Sequence, residues 1–433
     1  MHYITDLHIH SRYSRACSKN LTLSNLAAWA QVKGIDVLGT GDFTHPKWFA
    51  DIASKLVPAE PGLFALRPEF EAQDGEGSYQ QAPAVRDARP VRFLLTSELS
   101  CIYKKGGKTR RIHVLVFAPS INAVKKIITE LERRECNVRS DGRPILGLEA
   151  KEVARIAFEA DARCVVVPAH AWTPWFSIFG SESGFDSLEE CFEELTPQIF
   201  AIETGLSSDP LMNRRLSALD TIALISNSDA HGLANLGREA NVFDLPVLSY
   251  DAIMNAIRSR DQKKFLYTIE FFPEEGKYHV DGHRLCNFFC LPEETARRGG
   301  LCPKCGKGLT RGVLGRVHIL ADRASDQKFP PSAIGFRSIV PLPELIGESL
   351  DKGKTSKAVT KMYHDIITQF GTEFTVLLDM PTQEIKKLSP EVADAIEKMR
   401  HGDLDIRPGY DGVFGEIRLK QRQKVTQSRL VLE

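Results

Sequence analysis

The stretch Asp6-Leu-His8-Ile-His10-Ser sets two imidazoles two residues apart where a short apolar run ends. On an extended strand such residues share a face, so both rings can turn toward one metal ion. A His-x-His pair alone is weak evidence, and its companions make the case. Asp42 and His45 follow the run Val37–Thr40, Glu98 follows Phe93–Thr96, and His113 opens His-Val-Leu-Val-Phe. His170 lies in Pro-Ala-His, and Asp229 and His231 in Ser-Asp-Ala-His. Six of the 12 histidines and three carboxylates thus share one kind of placement, near an end of a strand-like run, which chance rarely gives. Imidazole with carboxylate suits zinc, manganese or iron, and suits a purely structural calcium poorly. Two such ions close together lower the pKa of a bridging water, align it with a phosphorus atom and neutralise the leaving oxygen. In that chemistry Asp229 would bind one ion and position the nucleophile. Arg12, Arg15 and Lys47 stand near the same mouth as candidate clamps for phosphate oxygens, with plain surface charge as the alternative. Glu203 ends a further run and is a candidate for support behind the ligands or for structure at the barrel mouth, with direct ligation as the alternative.

The elements that must carry these residues alternate through roughly the first 260 positions. Apolar, β-branched runs recur at Tyr3–Ile9, Asp36–Thr40, Arg92–Thr96, His113–Phe117, Cys164–Pro168, Phe200–Glu203 and Ile222–Ser226. Helical spacing appears between several of them, at Thr22–Lys33, Ala123–Glu135, Gly147–Glu159 and Pro210–Asp220. This rhythm predicts an α/β fold with a mostly parallel sheet, and seven runs suit a barrel better than a dinucleotide-binding fold. No GxGxxG follows the first run, which weakens the latter further. Most of the candidate ligands would then meet at the C-terminal mouth of the barrel. Residues 57–90, rich in Pro, Gly, Glu and Gln, read as a long surface excursion. Lys104–Arg111, with five basic residues in eight, reads as a hairpin tip that is either solvated or in contact with phosphate.

A chain of 433 residues is long enough for two or three domains. We expect a hydrolase domain at 1–270, a small cysteine unit at 280–320 and a mainly helical C-terminal domain at 325–433, with helices at Pro341–Leu350, Lys357–Phe370 and Pro390–Met399. Zero net charge argues against a protein that coats nucleic acid through bulk charge, yet leaves room for a local basic groove. The start lacks a basic segment leading into an apolar run, and no stretch reaches the roughly 18 apolar residues of a membrane span. A cytoplasmic protein without a membrane partner is the expectation.

Nine cysteines divide into two kinds. Cys17, Cys101, Cys136, Cys164 and Cys191 are scattered and read as buried free thiols. Cys286, Cys290, Cys302 and Cys305 form two close pairs, the second in a Cys-Pro-Lys-Cys-Gly turn. Four thiolates satisfy tetrahedral zinc and can hold together a unit too small for its own core. His279, His283 and His318 stand nearby as alternative ligands, and iron–sulfur ligation stays open on residue types alone.

Two features point to a long substrate, since a small phosphate monoester needs neither. One is the zinc unit; the other is the basic end with Arg418, Lys420, Arg422, Lys424 and Arg429. That end is a candidate for backbone attraction, or for a replication or repair partner such as a sliding clamp, although no clamp-binding motif is evident. After His170 come Trp172, Trp175, Phe176 and Phe179. They either roof the barrel or, with Lys47, contact DNA and stack on a base turned out of the helix.

The metal-ligand motifs resemble those of the polymerase and histidinol phosphatase (PHP) superfamily, which implies a distorted seven-stranded barrel that often holds three metals. The resemblance implies that His8, His10 and Asp229 bind one metal, and that Glu98 bridges it to a second held by His113 and His170. A third site would use Asp42 or His45 with His231. The chain departs from the commoner pattern here: no histidine follows shortly after His10, and the usual Asp-His pair is Asp42-Phe43, with His45 displaced. Over nearly its whole length the chain is similar to the endonuclease Q family. The carrying features are Asp6-Leu-His-Ile-His-Ser, Gly39-Thr-Gly-Asp-Phe-Thr-His-Pro, Thr96-Ser-Glu-Leu-Ser, Ala169-His-Ala-Trp-Thr-Pro, Asn227-Ser-Asp-Ala-His and the four-cysteine unit. This implies an endonuclease using zinc, manganese or magnesium in the barrel and one structural zinc. It would recognise uracil, hypoxanthine, xanthine and abasic sites in DNA and cut 5′ of the lesion, leaving a 3′-hydroxyl and a 5′-phosphate. The alternatives are a PHP phosphatase for a small phosphorylated molecule and a non-enzymatic DNA-binding module.

Overall fold

The computed structural model describes residues 1–71, 82–86, 88–325 and 330–420. Seven strands form the barrel: His2–Asp6, Val37–Gly39, Arg92–Lys105, Lys108–Ala118, Val165–Pro168, Ala201–Glu203 and Ala223–Ile225. The first three are parallel neighbours, as are the last two. The ring closes through a parallel bridge between Ile9 and Ala230, and through the Ala171 N–H donating to the Glu203 carbonyl at 2.9 Å.

Between these parallel halves the sheet departs from the expected pattern. Arg92–Lys105 and Lys108–Ala118 are two arms of one long antiparallel hairpin, and the second arm pairs antiparallel with Val165–Pro168. Gly106 and Gly107 turn the tip at φ 60° and 73°, a left-handed conformation that glycine adopts without strain. The basic Lys104–Arg111 stretch is therefore a hairpin tip with its strand ends, as its sequence suggests. The 57–90 excursion is also shorter than expected. Leu56–Pro58 and Phe64–Leu66 form a small hairpin on the sheet edge, with Phe64 opposite Phe93; residues 72–81 and 87 of that stretch lie outside the described residues.

Capping fixes the helices that surround the barrel. Thr22 accepts from the Asn25 N–H at the start of Leu23–Lys33, and Gly34 ends that helix at φ 90°. Ser120 and Ser249 cap Ile121–Arg133 and Tyr250–Ser259 in the same way. Helices at Leu342–Leu350, Lys357–Phe370 and Pro390–His401 match the sequence expectation. Their Leu345, Ile346, Ile366 and Ile396 join the same apolar core as Leu26 and Trp29 of the first barrel helix. A buried polar knot reinforces this contact: Lys33 Nζ lies 2.6 Å from Glu373 Oε2, which also accepts from the Tyr363 hydroxyl at 2.7 Å. Gly335–Ser338 adds a parallel strand beside Phe265–Glu270, so the C-terminal part also extends the sheet. Leu404–Arg407 and Glu416–Leu419 pair as a final hairpin. Of the basic end, Arg418 pairs with Glu416 at 3.0 Å, while Arg422, Lys424 and Arg429 lie outside the described residues. Among the described residues no helix is long and apolar enough to cross a membrane.

Behind the barrel, Ala240–Asp244 pairs antiparallel with Phe265–Glu270, which brings Glu239 and Glu270 opposite each other. Both are fully buried. Burial pushes the Glu270 carboxyl from its ordinary 4.5 up to about 8, and burial beside Glu270 raises Glu239 well above the usual range. Hydroxyls of Thr204 and Thr268 donate to Glu270. A carboxyl held neutral in the fold takes up a proton on folding, so its stabilisation is complete below about pH 4.5 and is lost as pH rises toward 8. We expect Glu270→Gln to flatten the fall in denaturation midpoint between pH 5 and 8. An unchanged pH profile in the variant would show that Glu270 is already ionised in the fold.

Candidate metal centre

Glu98 sits on the inner face in the middle of its strand, not at the strand end that the run Phe93–Thr96 suggests. It lies opposite Leu115, so His113, two residues earlier on the facing arm, shares its face diagonally. One carboxylate oxygen, Oε1, is 2.6 Å from His113 Nδ1 and 3.0 Å from His170 Nε2. The other, Oε2, is 3.2 Å from His10 Nε2 and 3.6 Å from His8 Nε2. Asp229 Oδ1 completes the second group, 3.1 Å from His10 Nε2. His8, His10, Glu98 and Asp229 form one group of ligand atoms within 4.8 Å of one another, and Glu98, His113 and His170 form another.

These groups fit two divalent ions. Although buried, His8 Nε2, His10 Nε2 and Asp229 Oδ1 make no hydrogen bond, a costly condition that an ion would relieve. The opposite ring nitrogens are held: His8 Nδ1 faces both oxygens of Glu203 at 3.0 and 3.1 Å, and His10 Nδ1 faces Asp42 Oδ1 at 3.0 Å. A carboxylate on Nδ1 fixes the tautomer that presents Nε2 to a metal. Glu203 also accepts from the His170 N–H at 2.8 Å and from Asn227 Nδ2 at 2.9 Å, which ties three ligand-bearing segments together.

The charges are mutually adjusted. Burial disfavours the ionised form of Glu98, but His113, Arg143 and His8 outweigh it and hold the carboxyl well below its usual range. His8 and His10 outweigh burial at Asp229 in the same way. At His113 burial wins and brings the imidazole down to about 4, which keeps it neutral and ready to ligate. The backbone is strained at the same place. Asp42, His170 and Asp229 adopt left-handed φ values of 49°, 31° and 47°, a conformation costing roughly 1–3 kcal/mol each for non-glycine residues. Gly41 allows the first of these turns, because a Cβ there would meet the Ile9 carbonyl at 2.3 Å.

Other expected site residues fall elsewhere. Asp42 is not free to ligate: its Oδ2 accepts from the Ser11 N–H and from the hydroxyls of Ser11 and Ser14. His45 stacks on Tyr13 with ring centres 4.5 Å apart, and His231 leans on the His10 ring with its Nδ1 2.8 Å from the Asp229 carbonyl. Asp42, His45 and His231 thus form no third ligand group among the described residues. Trp172 and Phe179 are buried against each other in the core, and Trp172 donates to Asn213, so neither can stack on a base. Phe176 covers the His113 ring. Trp175 is 39% exposed and meets Tyr278 edge to face on the rim of a cavity of about 1190 Å³. Arg12 lies over Tyr13, Arg15 is exposed beside Asp141, and Lys47 is exposed. Among the described residues it is Arg143 whose guanidinium meets a ligand carboxylate, with Nη1 3.0 Å from Glu98 Oε2. Its Asp-Gly-Arg-Pro setting reads in sequence as an ordinary turn.

The cysteine unit also differs from expectation. His283, Cys286, Cys302 and Cys305 bring their ligand atoms together, while Cys290 stands apart. Cys290 faces Asp281 across a short hairpin and sits 3.3 Å from the Thr295 hydroxyl, where burial raises its thiol above the usual range. The signal was available: His283-x2-Cys286 repeats the spacing of Cys302-x2-Cys305, whereas Cys286-x3-Cys290 does not. Burial disfavours the Cys302 thiolate, but the Lys304 and Cys305 N–H groups outweigh it and bring the thiol down to about 6. The five scattered cysteines are free thiols; Cys101, Cys164 and Cys191 are buried as expected, while Cys17 and Cys136 are only half-buried. Zinc content measured after purification should fall by one ion in Cys302→Ser and in His283→Ala, and stay unchanged in Cys290→Ser. Zinc loss in Cys290→Ser with full retention in His283→Ala would restore the four-cysteine set.

Two family models match, the C-terminal domain of MJ0043 at residues 341–403 and a PHP-associated region at residues 213–261. The chain is 31% identical over 294 residues to the uncharacterized protein MJ0043 of Methanocaldococcus jannaschii, a match spanning 64% of this chain and 36% of that protein. It is 29% identical over 425 residues to the uncharacterized protein YqxK of Bacillus subtilis, spanning 95% of this chain and 98% of YqxK. The crystal structure of the lesion-specific endonuclease PfuEndoQ from Pyrococcus furiosus superposes with a TM-score of 0.82 at 32% identity, over 97% of this chain and 96% of that one. Endonuclease Q in complex with a 27-mer duplex bearing an abasic lesion at its active site gives a TM-score of 0.81 at 33% identity, over 97% of both chains. With a third of its residues shared along almost the whole of both chains, and the same fold around them, this chain belongs to the endonuclease Q family of PHP proteins.

Proposed function

We propose that the protein is a metal-dependent endonuclease that hydrolyses the DNA phosphodiester 5′ of deaminated bases and abasic sites, leaving a 3′-hydroxyl and a 5′-phosphate. The observation that carries this reading is Glu98, whose two oxygens face two separate ligand groups at distances of 2.6–3.6 Å. We assign two divalent ions, zinc or manganese, to these groups, and a structural zinc to His283, Cys286, Cys302 and Cys305. When bound, the paired ions supply a nucleophilic hydroxide near neutral pH and offset charge on the phosphorane-like transition state. The chain supplies the rest. Glu203 and Asp42 hold the rings of His8 and His10 in one tautomer. Asp229, at the mouth and a quarter exposed, is the carboxylate best placed to orient the attacking water.

A long polymer substrate is supported by the cavity whose Thr173 contacts the His170 ring and whose Arg238 donates to the Asp229 carbonyl. Trp175, Tyr278 and Phe414 line it together with Arg238, Lys277 and Lys354. Aromatic faces stack on bases and the cations attract the backbone, a combination suited to a nucleotide drawn out of its helix. The family resemblance supports the lesion class and the side of the cut. In this reading residues 1–270 carry the chemistry, residues 280–320 the zinc unit and residues 325–433 a share of DNA binding, in a cytoplasmic protein.

The test is cleavage of end-labelled duplexes carrying one uracil, one hypoxanthine, one abasic site or none, with Mn²⁺ or Mg²⁺ and a chelator control. A single cut 5′ of each lesion, lost with chelator and reduced at least ~100-fold in Asp229→Asn, is expected. Intact DNA under every metal, with turnover of a nucleoside monophosphate, would make the protein a small-molecule phosphoesterase instead.

A further inference from the structure

Arg143 occupies a built position, not a stray one. It rides on Asp141-Gly142-Arg143-Pro144, and each residue of this turn is tied to the site. Asp141 Oδ1 accepts from the Arg15 and Arg143 N–H groups at 3.2 and 3.1 Å. The Gly142 N–H donates to the Tyr13 carbonyl at 3.1 Å, and the Pro144 carbonyl accepts from the Ser100 N–H at 3.1 Å. A Cβ at Gly142 would meet Asp42 Oδ2 at 2.3 Å and Ser14 Oγ at 2.4 Å, so the turn lies directly against the carboxylate that orients His10. The strand Ile145–Leu146 that follows pairs with Ser100–Cys101, two residues beyond Glu98. The guanidinium is therefore carried on the same frame as the ligands themselves.

Its contact is also specific. Nη1 donates to Glu98 Oε2 at 3.0 Å, the oxygen that faces the His8, His10 and Asp229 group. A quarter of the side chain stays exposed, in contrast to Glu98, which is fully buried. A guanidinium carries five donors in a planar fork, and one bond to Glu98 leaves most of that fork for another acceptor. The acceptor that the chemistry brings to this place is a phosphodiester, whose non-bridging oxygens gain charge as the nucleophile attacks.

We propose that Arg143 is a catalytic residue that binds a non-bridging oxygen of the scissile phosphate. The role expected in sequence for Arg12, Arg15 or Lys47 thus passes to a cation none of whose sequence neighbours advertises it. Glu98 aims the fork in the absence of substrate and shares it when the phosphate arrives. This assignment rests on phosphodiester hydrolysis as the reaction, and its test separates the two.

Arg143→Met keeps the apolar stem and removes the fork, while Arg143→Lys keeps the charge without bidentate geometry. Three quantities are measured on wild type and both variants: metal content by mass spectrometry, affinity of the manganese-loaded protein for inorganic phosphate by calorimetry, and single-turnover cleavage of an abasic duplex. Expected for Arg143→Met are unchanged metal content, phosphate affinity weaker by about tenfold, and cleavage slower by about 100-fold, with Arg143→Lys between it and wild type. Unchanged phosphate affinity would overturn the proposal. So would metal loss in step with the rate and rescue of that rate by excess Mn²⁺, since Arg143 would then serve only the ligand shell. A wild type that leaves DNA intact but loses phosphate affinity on Arg143→Met would refute the endonuclease reading and uphold the phosphate contact.

Discussion

The centre depends on one buried carboxylate. Glu98 has no exposed surface, yet it is surrounded by the nitrogens of His8, His10, His113, His170 and Arg143 within 3.6 Å. An ionised carboxylate without such company would be too costly to bury, and the surrounding nitrogens would repel one another once protonated or metallated if it were absent. The long hairpin exists, in this sense, to carry Glu98. Only a strand that runs past it to Lys105 and returns through His113 places two ligands diagonally on one inner face. A uniformly parallel barrel would have confined its ligands to strand ends.

Around that hub the structure accepts strain and polarity in exchange for position. The left-handed turns at Asp42, His170 and Asp229 lie in the segments that follow the strands Val37–Gly39, Val165–Pro168 and Ala223–Ile225. Two of them are over-determined: Asp42 by four hydrogen bonds to His10, Ser11 and Ser14, and His170 by Glu203 on its backbone and Thr173 on its ring. Glu203 belongs to the Ala201–Glu203 strand yet contacts segments from both sides of the barrel. The C-terminal helices pack on the first barrel helix with Lys33 and Glu373 buried together, and Trp29 and Lys33 of that helix line the cavity along with Val359 and Tyr363.

Much of this was legible in the residues. His8, His10, Glu98, His113, His170 and Asp229 stand out because few structural roles ask for so many imidazoles beside apolar runs. The strand and helix positions followed from the spacing of apolar residues. What escaped was whatever depends on pairing between distant segments. Asp42 was indistinguishable from a ligand until Ser11 and Ser14 claimed its oxygens. Arg143 lies 45 residues from Glu98 in a turn with no sequence mark of function. The two tryptophans after His170 look alike in sequence, but Trp172 finds a buried acceptor in Asn213 whereas Trp175 remains at the rim. His283 stood only as an alternative ligand for another reason: cysteine count drew attention from spacing.

The central claim is that Glu98 joins two ions. Anomalous diffraction from crystals of the protein loaded with zinc or manganese tests it most directly. The account predicts two barrel peaks, one on His8, His10 and Asp229 and one on His113 and His170, both bonded to Glu98. A single barrel peak, or a pair held by Asp42, His45 and His231 with Glu98 uncoordinated, would contradict it.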